Sequence, residues 1–172
     1  MRVVVDARHL GAGRGVARHL EGVLRALGEA YPEDEWLAFA PGRAPLAPPH
    51  PAVRLVRHPL PSRALFGAAA LCGRPRLDRL VGGALDAVWA PAPAPLALSG
   101  SLPLVLTVHD RSFEARPRDF TPYERVWHRL ARPRALAARA ALVLTDTAAV
   151  RSDLLAAGWP VAPERLRVVP PG

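Results

Sequence analysis

The chain has 172 residues, half of them hydrophobic, which suits one compact domain with a sizeable core. Its net charge is +8, and every basic residue is arginine, since lysine, isoleucine, asparagine and glutamine do not occur in the sequence. This composition is typical of a GC-rich bacterial genome. The single cysteine, Cys72, excludes an internal disulfide and a cysteine-based zinc site.

The beginning of the chain is unlike a secretory signal, because Asp6 and Arg8 interrupt its apolar residues almost at once. Residues 87–108 carry no charge and are long enough to cross a bilayer, but four prolines would break a helix there. We therefore expect a cytoplasmic protein.

Short apolar runs alternate with helical patterns along the chain. We predict strands at residues 2–5, 36–40, 53–56, 87–89, 104–108, 141–145 and 166–169. We predict helices from Gly15 onward, over 62–81 with a break near Gly73 and Pro75, from a capping box at Thr121 to Pro133, then to Arg139, and from Thr147 to Gly158. This order predicts a Rossmann-like three-layer α/β/α sandwich with a mostly parallel sheet. Ligands of such folds bind beyond the carboxyl ends of the strands.

A glycine-rich loop, residues 6–15, joins the first predicted strand to the first helix. Glycines let a backbone approach phosphate closely, and a helix start offers free N–H groups. Gly13, Arg14, Gly15 and Arg18 are therefore candidate phosphate-binding residues. The third glycine of a dinucleotide fingerprint is missing, and a P-loop needs a lysine that the sequence lacks. The alternative is a plain surface loop.

The predicted strand 104–108 brings His109 and Asp110 to the same edge of the sheet. An imidazole there can donate to a phosphate or sugar hydroxyl or move a proton, and a carboxylate can orient it, so both are candidate catalytic residues. The structural alternative is that the pair caps the following loop. The other histidines have no ligand spacing and are expected at the surface: His9, His19, His50, His58 and His128.

An arginine-rich stretch, residues 111–140, holds eight arginines against three acids. Its amphipathic segment from Tyr123 to Leu130 suits contact with anionic lipid headgroups or another polyanion. The alternative is an apolar stripe that packs on the core below a solvated charged face.

Together these segments resemble the N-terminal half of a retaining GT-B glycosyltransferase of family 4. Residues 6–8 and 15–20 are similar to that family's opening, D-x-R followed by G-(I/V)-G-R-Y-L. Residues 107–117 resemble its T-(V/I)-H-D segment. Residues 147–154 and 165–172 are similar to its V-S-x-x-S-x-x-D-L and R-I-x-V-(I/V)-x-N-G segments. The match follows the family's order over essentially the whole chain, although Ala17, His19 and Pro171 replace the family's glycine, tyrosine and asparagine.

The resemblance implies that Gly13, Gly15 and their neighbours face the donor diphosphate across a cleft. It implies that His109 reaches the sugar or acceptor, with Asp110 in support. The expected reaction moves a hexosyl group with retained configuration from a nucleotide-sugar to a glycan, lipid-linked or small-molecule acceptor, without a cofactor or metal. The family's second domain, which carries the nucleotide pocket, begins where this sequence ends. We therefore expect residues 1–172 to be a single acceptor-side domain that transfers no sugar alone.

Two other hypotheses remain open. The arginine excess suits a basic Rossmann-like module on nucleic acid or on the inner face of an anionic membrane. Aromatic residues are only 6% of the sequence, so no stacking platform for specific nucleic acid is expected. A complete small phosphosugar enzyme would need a second acid or base near His109, for which Asp6 is the candidate.

Overall fold

The computed structural model describes residues 1–13 and 15–171, so that Arg14 and Gly172 lie outside the described residues. Seven strands form one sheet in the order β3-β2-β1-β4-β5-β6-β7, and every neighbouring pair is parallel. The strands are β1 (Arg2–Asp6), β2 (Glu35–Pro41), β3 (Val53–His58), β4 (Ala87–Ala90), β5 (Leu104–Thr107), β6 (Leu142–Thr145) and β7 (Leu166–Val168). All seven predicted strands are confirmed, with boundaries that differ by one or two residues.

In the described residues, seven α-helices lie between or after the strands. They are α1 (Gly15–Ala30), α2 (Ser62–Cys72), α3 (Leu77–Val81), α4 (Ser112–Ala115), α5 (Pro122–Ala131), α6 (Pro133–Arg139) and α7 (Ala148–Ala156). The predicted break between α2 and α3 is confirmed, because Gly73 ends α2 in a left-handed conformation with φ of 65°. Short 3-10 turns at 117–119 and 163–165 precede α5 and β7.

The capping box predicted for α5 is present. The hydroxyl of Thr121 accepts a hydrogen bond from the backbone N–H of Glu124 at 3.3 Å, and the Glu124 carboxylate accepts one from the Thr121 N–H at 2.9 Å. Thr147 caps α7 by accepting from the Val150 N–H at 3.2 Å. Both helices therefore begin where their local sequence satisfies the free N–H groups of the first turn.

Alternate residues of the strands belong to two hydrophobic clusters, one on each face of the sheet. On one face, here called the α1 face, Val3 and Val5 of β1 pack with Leu20 and Leu24 of α1. Each of the other helices contributes to the opposite cluster through these residues: Leu65, Phe66, Leu77, Phe113, Trp127, Leu136 and Leu154. Helices thus lie on both sides of an all-parallel sheet, and the predicted α/β Rossmann-like class is confirmed.

The α1 face is less covered over β5 and β6 than over β1. Val105 of β5 and Leu144 of β6 are only half-buried there. They line a cavity of about 290 Å³, here called the apolar groove, between α1 and the end of β7. At the carboxyl edge of the sheet, His19, Thr107 and Asp146 complete the lining of this groove.

No helix in the described part of the chain combines the length and the apolar character needed to cross a membrane. The uncharged stretch 87–108 instead contains the two short parallel strands β4 and β5 and the loop between them.

A buried ion pair anchors the loop that follows β1. Asp6 and Arg8 are joined at 2.6 Å, and their side chains are 2% and 3% exposed. Arg8 also donates to the Pro95 carbonyl at 3.0 Å, and its guanidinium lies over the Phe66 ring at 3.2 Å from the centroid. Asp6 therefore serves as the partner of Arg8, and the hypothesis that it acts as an acid or base beside His109 has no support in its contacts.

We predict that Asp6→Asn strongly destabilises the fold, because it leaves the buried guanidinium of Arg8 without a counter-charge. The free energy of unfolding is expected to fall by about 3 kcal/mol, as when one partner of a buried pair is removed. Urea unfolding followed by tryptophan fluorescence measures the change. Glu35→Gln is the matched control at a more exposed pair with Arg2, where less than about 1 kcal/mol is expected. Equal effects of the two substitutions would contradict the assignment.

Candidate functional site

The carboxyl edge of the sheet brings together the ends of β1, β4, β5 and β6. Because β5 and β6 are parallel neighbours, with Thr107 opposite Leu144, the residues that follow the two strands lie side by side. The backbone N–H of Val108 continues the pairing by donating to the Leu144 carbonyl at 2.8 Å. This register places His109 next to Asp146.

Both ring nitrogens of His109 have hydrogen-bond partners. Nδ1 lies 2.8 Å from Oδ2 of Asp146, and Nε2 lies 2.9 Å from the carbonyl oxygen of Pro91, which follows β4. A carboxylate and a carbonyl both accept hydrogen bonds, and the tautomer of the imidazole decides which ring nitrogen donates. The side chain of His109 remains 21% exposed at the edge of the sheet.

Asp110, the second predicted catalytic residue, makes different contacts. Its carboxylate accepts hydrogen bonds from the backbone N–H of Ser112 at 2.7 Å and from the Ser112 hydroxyl at 2.5 Å. These contacts match the loop-capping alternative. The carboxylate beside the imidazole is that of Asp146, which the sequence analysis did not single out, although its position directly after a predicted strand was a usable signal.

His19 belongs to the site and not to the outer surface where the sequence analysis expected it. Its ring meets that of His109 edge-on, with centroids 5.0 Å apart, and lies 6.3 Å from the Trp89 ring. Burial lowers the pKa of His19, and the neighbouring charge of His109 lowers it further, against the opposing effect of Asp146. The Trp89 indole N–H in turn donates to the Thr107 hydroxyl at 3.0 Å, and this hydrogen bond holds the Trp89 ring that His19 contacts.

The glycine loop is open at the residues predicted to bind phosphate. Gly13 has a φ of 67°, and an added Cβ at Gly13 or Gly15 would have no neighbour within 4 Å. Arg18 is exposed and lines, with Gly15, His19 and Pro171, a cavity of about 530 Å³ beside α1. Arg14 lies outside the described residues. Gly15, the first residue of the 16-residue helix α1, is exposed, and the first turn of a helix offers N–H groups and a dipole end that suit an anion.

The structure thus places the predicted site residues in two neighbouring groups. Gly13, Gly15 and Arg18 surround the start of α1, and His109 follows β5. His19 connects the two groups, since it contacts His109 and shares a cavity with Arg18. The described residues contain no cluster of three or more histidine, cysteine or acidic side chains arranged to hold a metal ion.

The sequence model of Glycosyltransferase Family 4 matches residues 13–172, which is nearly the whole chain. The chain belongs to glycosyltransferase family 4. Its resemblance to that family, stated above from the sequence motifs, is therefore confirmed. A comparison with curated proteins found no match.

The family 4 domain also resembles solved structures of Anabaena HepE. One holds UDP and glucose and superposes with a TM-score of 0.57 at 18% identity. The other holds UDP-glucose and superposes with a TM-score of 0.56 at 18% identity. Each match covers 100% of this chain and 44% of the HepE chain, so the domain spans less than half the length of these neighbours. At this identity the likeness establishes the fold alone.

We predict that replacing His19 weakens the pH dependence of stability of the family 4 domain. Because the folded chain lowers the pKa of His19 from 6.5, the unfolded chain takes up a proton more readily. Its contribution to stability is therefore complete above that pH and is lost as the pH falls through the lower folded pKa. The loss of unfolding free energy between about pH 7.5 and pH 5.5 should be smaller in His19→Tyr.

Urea unfolding at the two pH values measures this difference. A residual loss is expected in the variant, because burial also lowers the pKa of His128. An identical loss in His19→Tyr and the unchanged domain would show that His19 is not held neutral by the fold.

Proposed function

We propose that this domain is the acceptor-side N-terminal half of a two-domain enzyme that transfers a hexosyl group from a nucleotide-sugar to an acceptor with retention of configuration. One observation carries the proposal. In a family 4 domain, an open glycine loop and the hydrogen-bonded side chain of His109 lie at the same carboxyl edge of the parallel sheet, where ligands of such folds bind. The remainder of the enzyme, with the main nucleotide pocket, would lie beyond residue 172. By itself the domain is expected to transfer no sugar.

The proposed donor site lies at the start of α1. Its free N–H groups, the open backbone at Gly13 and Gly15 and the exposed charge of Arg18 suit a diphosphate. HepE, which shares the fold, was crystallised with UDP-glucose, and this supports a nucleotide-sugar donor. We include Arg14, which follows Gly13 in the sequence, among the proposed phosphate-binding residues.

The proposed sugar site lies at His109. The ring stands at the same edge as the glycine loop. On binding of the donor, Nε2 would exchange its contact with the Pro91 carbonyl for a sugar hydroxyl or for an oxygen that gains negative charge when the diphosphate leaves, while Nδ1 keeps its contact with Asp146. Asp110 supports this site indirectly, because its contacts with Ser112 hold the turn that carries His109 into α4. These roles need no cofactor.

Activity of the native gene product tests the proposal. We predict that the gene product, supplied with UDP-glucose and related nucleotide-sugars, transfers a hexose with retained configuration. His109→Gln should lower kcat/KM by about 100-fold or more, as expected when a positioned acid or hydrogen-bond donor is removed. His58→Gln, at the end of edge strand β3, is the matched control and should retain activity.

Two outcomes would contradict the proposal. One is turnover by residues 1–172 alone, which would show that the domain is a complete enzyme. The other is full activity of His109→Gln, which would remove the histidine from the site.

We further propose peripheral contact of the domain with the cytoplasmic face of an anionic membrane, which fits a lipid-linked acceptor. Tyr123 and Val126 of α5 are 50% and 54% exposed, so part of the apolar stripe does not pack on the core. Arg63 of α2 lies over the Tyr123 ring at 4.9 Å. Arg125 and Arg129 are exposed on the same helix. A helix that carries exposed aromatic and aliphatic side chains together with exposed arginines suits an anionic headgroup region.

Vesicle sedimentation tests the membrane contact. The double variant Arg125→Glu with Arg129→Glu should lower the affinity for phosphatidylcholine vesicles containing about 30% phosphatidylglycerol by about 30-fold or more, since each basic residue near such a surface contributes about 1 kcal/mol. Arg25→Glu with Arg43→Glu changes the net charge equally at exposed positions elsewhere and should have a smaller effect. Equal losses in the two variants, or binding of random-sequence DNA without binding of vesicles, would contradict the proposal.

A further inference from the structure

Asp146 lies in the candidate site but outside the short sequence motifs, residues 6–8, 15–20, 107–117, 147–154 and 165–172, that were compared with family 4 above. It follows β6 directly, and the next residue, Thr147, caps α7. We infer that Asp146 is a positioning residue, which holds the imidazole of His109 in a fixed plane through its contact with Nδ1. The inference rests on the proposed function, in which His109 contacts the reacting sugar.

The backbone on both sides of Asp146 is firmly held. The Leu144 carbonyl accepts from the Val108 N–H at 2.8 Å, and the Thr145 carbonyl accepts from the Val169 N–H at 2.8 Å. The Thr147 hydroxyl accepts from the Val150 N–H in the first turn of α7 at 3.2 Å. The Asp146 carboxylate is therefore presented to His109 from a rigid junction between a strand and a helix, which suits an orienting group.

The contacts of the Asp146 side chain also favour a role at the site over a role in the fold. Its Oδ2 meets Nδ1 of His109 at 2.8 Å, while its Oδ1 is buried without a hydrogen-bond partner among the described residues. A buried carboxylate oxygen without a partner costs stability. Oδ2 of Asp146 therefore contacts His109 while Oδ1 of the same carboxylate lacks a hydrogen bond, which is unexpected for a residue that serves stability alone.

Two acceptors on opposite sides of the ring fix its orientation. The Pro91 carbonyl faces Nε2 and Asp146 faces Nδ1, so a rotated ring would lose both contacts. His19, from α1, packs edge-on against the same ring, with centroids 5.0 Å apart. The contacts of Asp146, Pro91 and His19 together therefore set the plane of the imidazole at the edge of the sheet.

The substitution Asp146→Asn separates positioning from folding, because asparagine has nearly the same shape and lacks the charge. In the native gene product, kcat should fall by about tenfold or more while KM for the donor changes by less than about twofold, since a lost transition-state interaction lowers kcat. Asp146→Glu, which restores the carboxylate, should recover part of kcat. Asp153→Asn is the control, because it removes an exposed carboxylate that pairs with Arg111.

A spectroscopic measurement tests the contact without any activity. In the gene product with ¹⁵N-labelled histidine, the Nδ1 proton of His109, assigned by its loss in His109→Gln, should resonate far downfield because it is donated to a carboxylate. In Asp146→Asn that signal should move upfield or disappear, and in Asp153→Asn it should stay.

The two measurements distinguish the two proposals. An unchanged Nδ1 signal in Asp146→Asn would overturn the positioning role, and so would an unchanged kcat. If the unchanged protein transfers no sugar, the proposed function fails, while the Nδ1 signal still decides whether Asp146 holds His109.

Discussion

The parallel register of β5 and β6 is the constraint on which the candidate site depends. Both strands end at the same edge, and the pairing of Thr107 with Leu144 leaves His109 and Asp146 side by side. A shift of one residue in either strand would send one of the two side chains to the opposite face. The apolar residues of these strands, which fix the register by their burial, therefore also determine the position of the His109 imidazole relative to Asp146.

Charged residues play two distinct roles in the domain, and burial separates them. Arg8 lies near the start of the glycine loop, paired with Asp6 and stacked on Phe66, and these buried contacts anchor the loop to the core. Arg125 and Arg129 are exposed on α5, where water and salt screen their charges. The high net charge of the chain is therefore no measure of the charge at its candidate site.

Local signals predicted most of the fold, and contacts between distant segments account for what was missed. The cap at Thr121, the break at Gly73 and the β-branched start of β1 act within a few residues, so the sequence alone indicates them. His109 could be placed at the edge because it directly follows a strong strand. To predict its pairing with Asp146, the order of the strands must be known. To predict the position of His19, the packing of α1 on the sheet must be known. Neither can be inferred from a local sequence pattern.

The central claim is that the carboxyl edge of this sheet forms one wall of the sugar-transfer site. Amide hydrogen exchange of the native gene product, with and without a saturating nucleotide-sugar donor, tests it most directly. The account predicts slower exchange in residues 9–19 and 107–112 when the donor is bound. Slower exchange confined to α5 or to the β3 side of the sheet, or no change anywhere in residues 1–171, would contradict it.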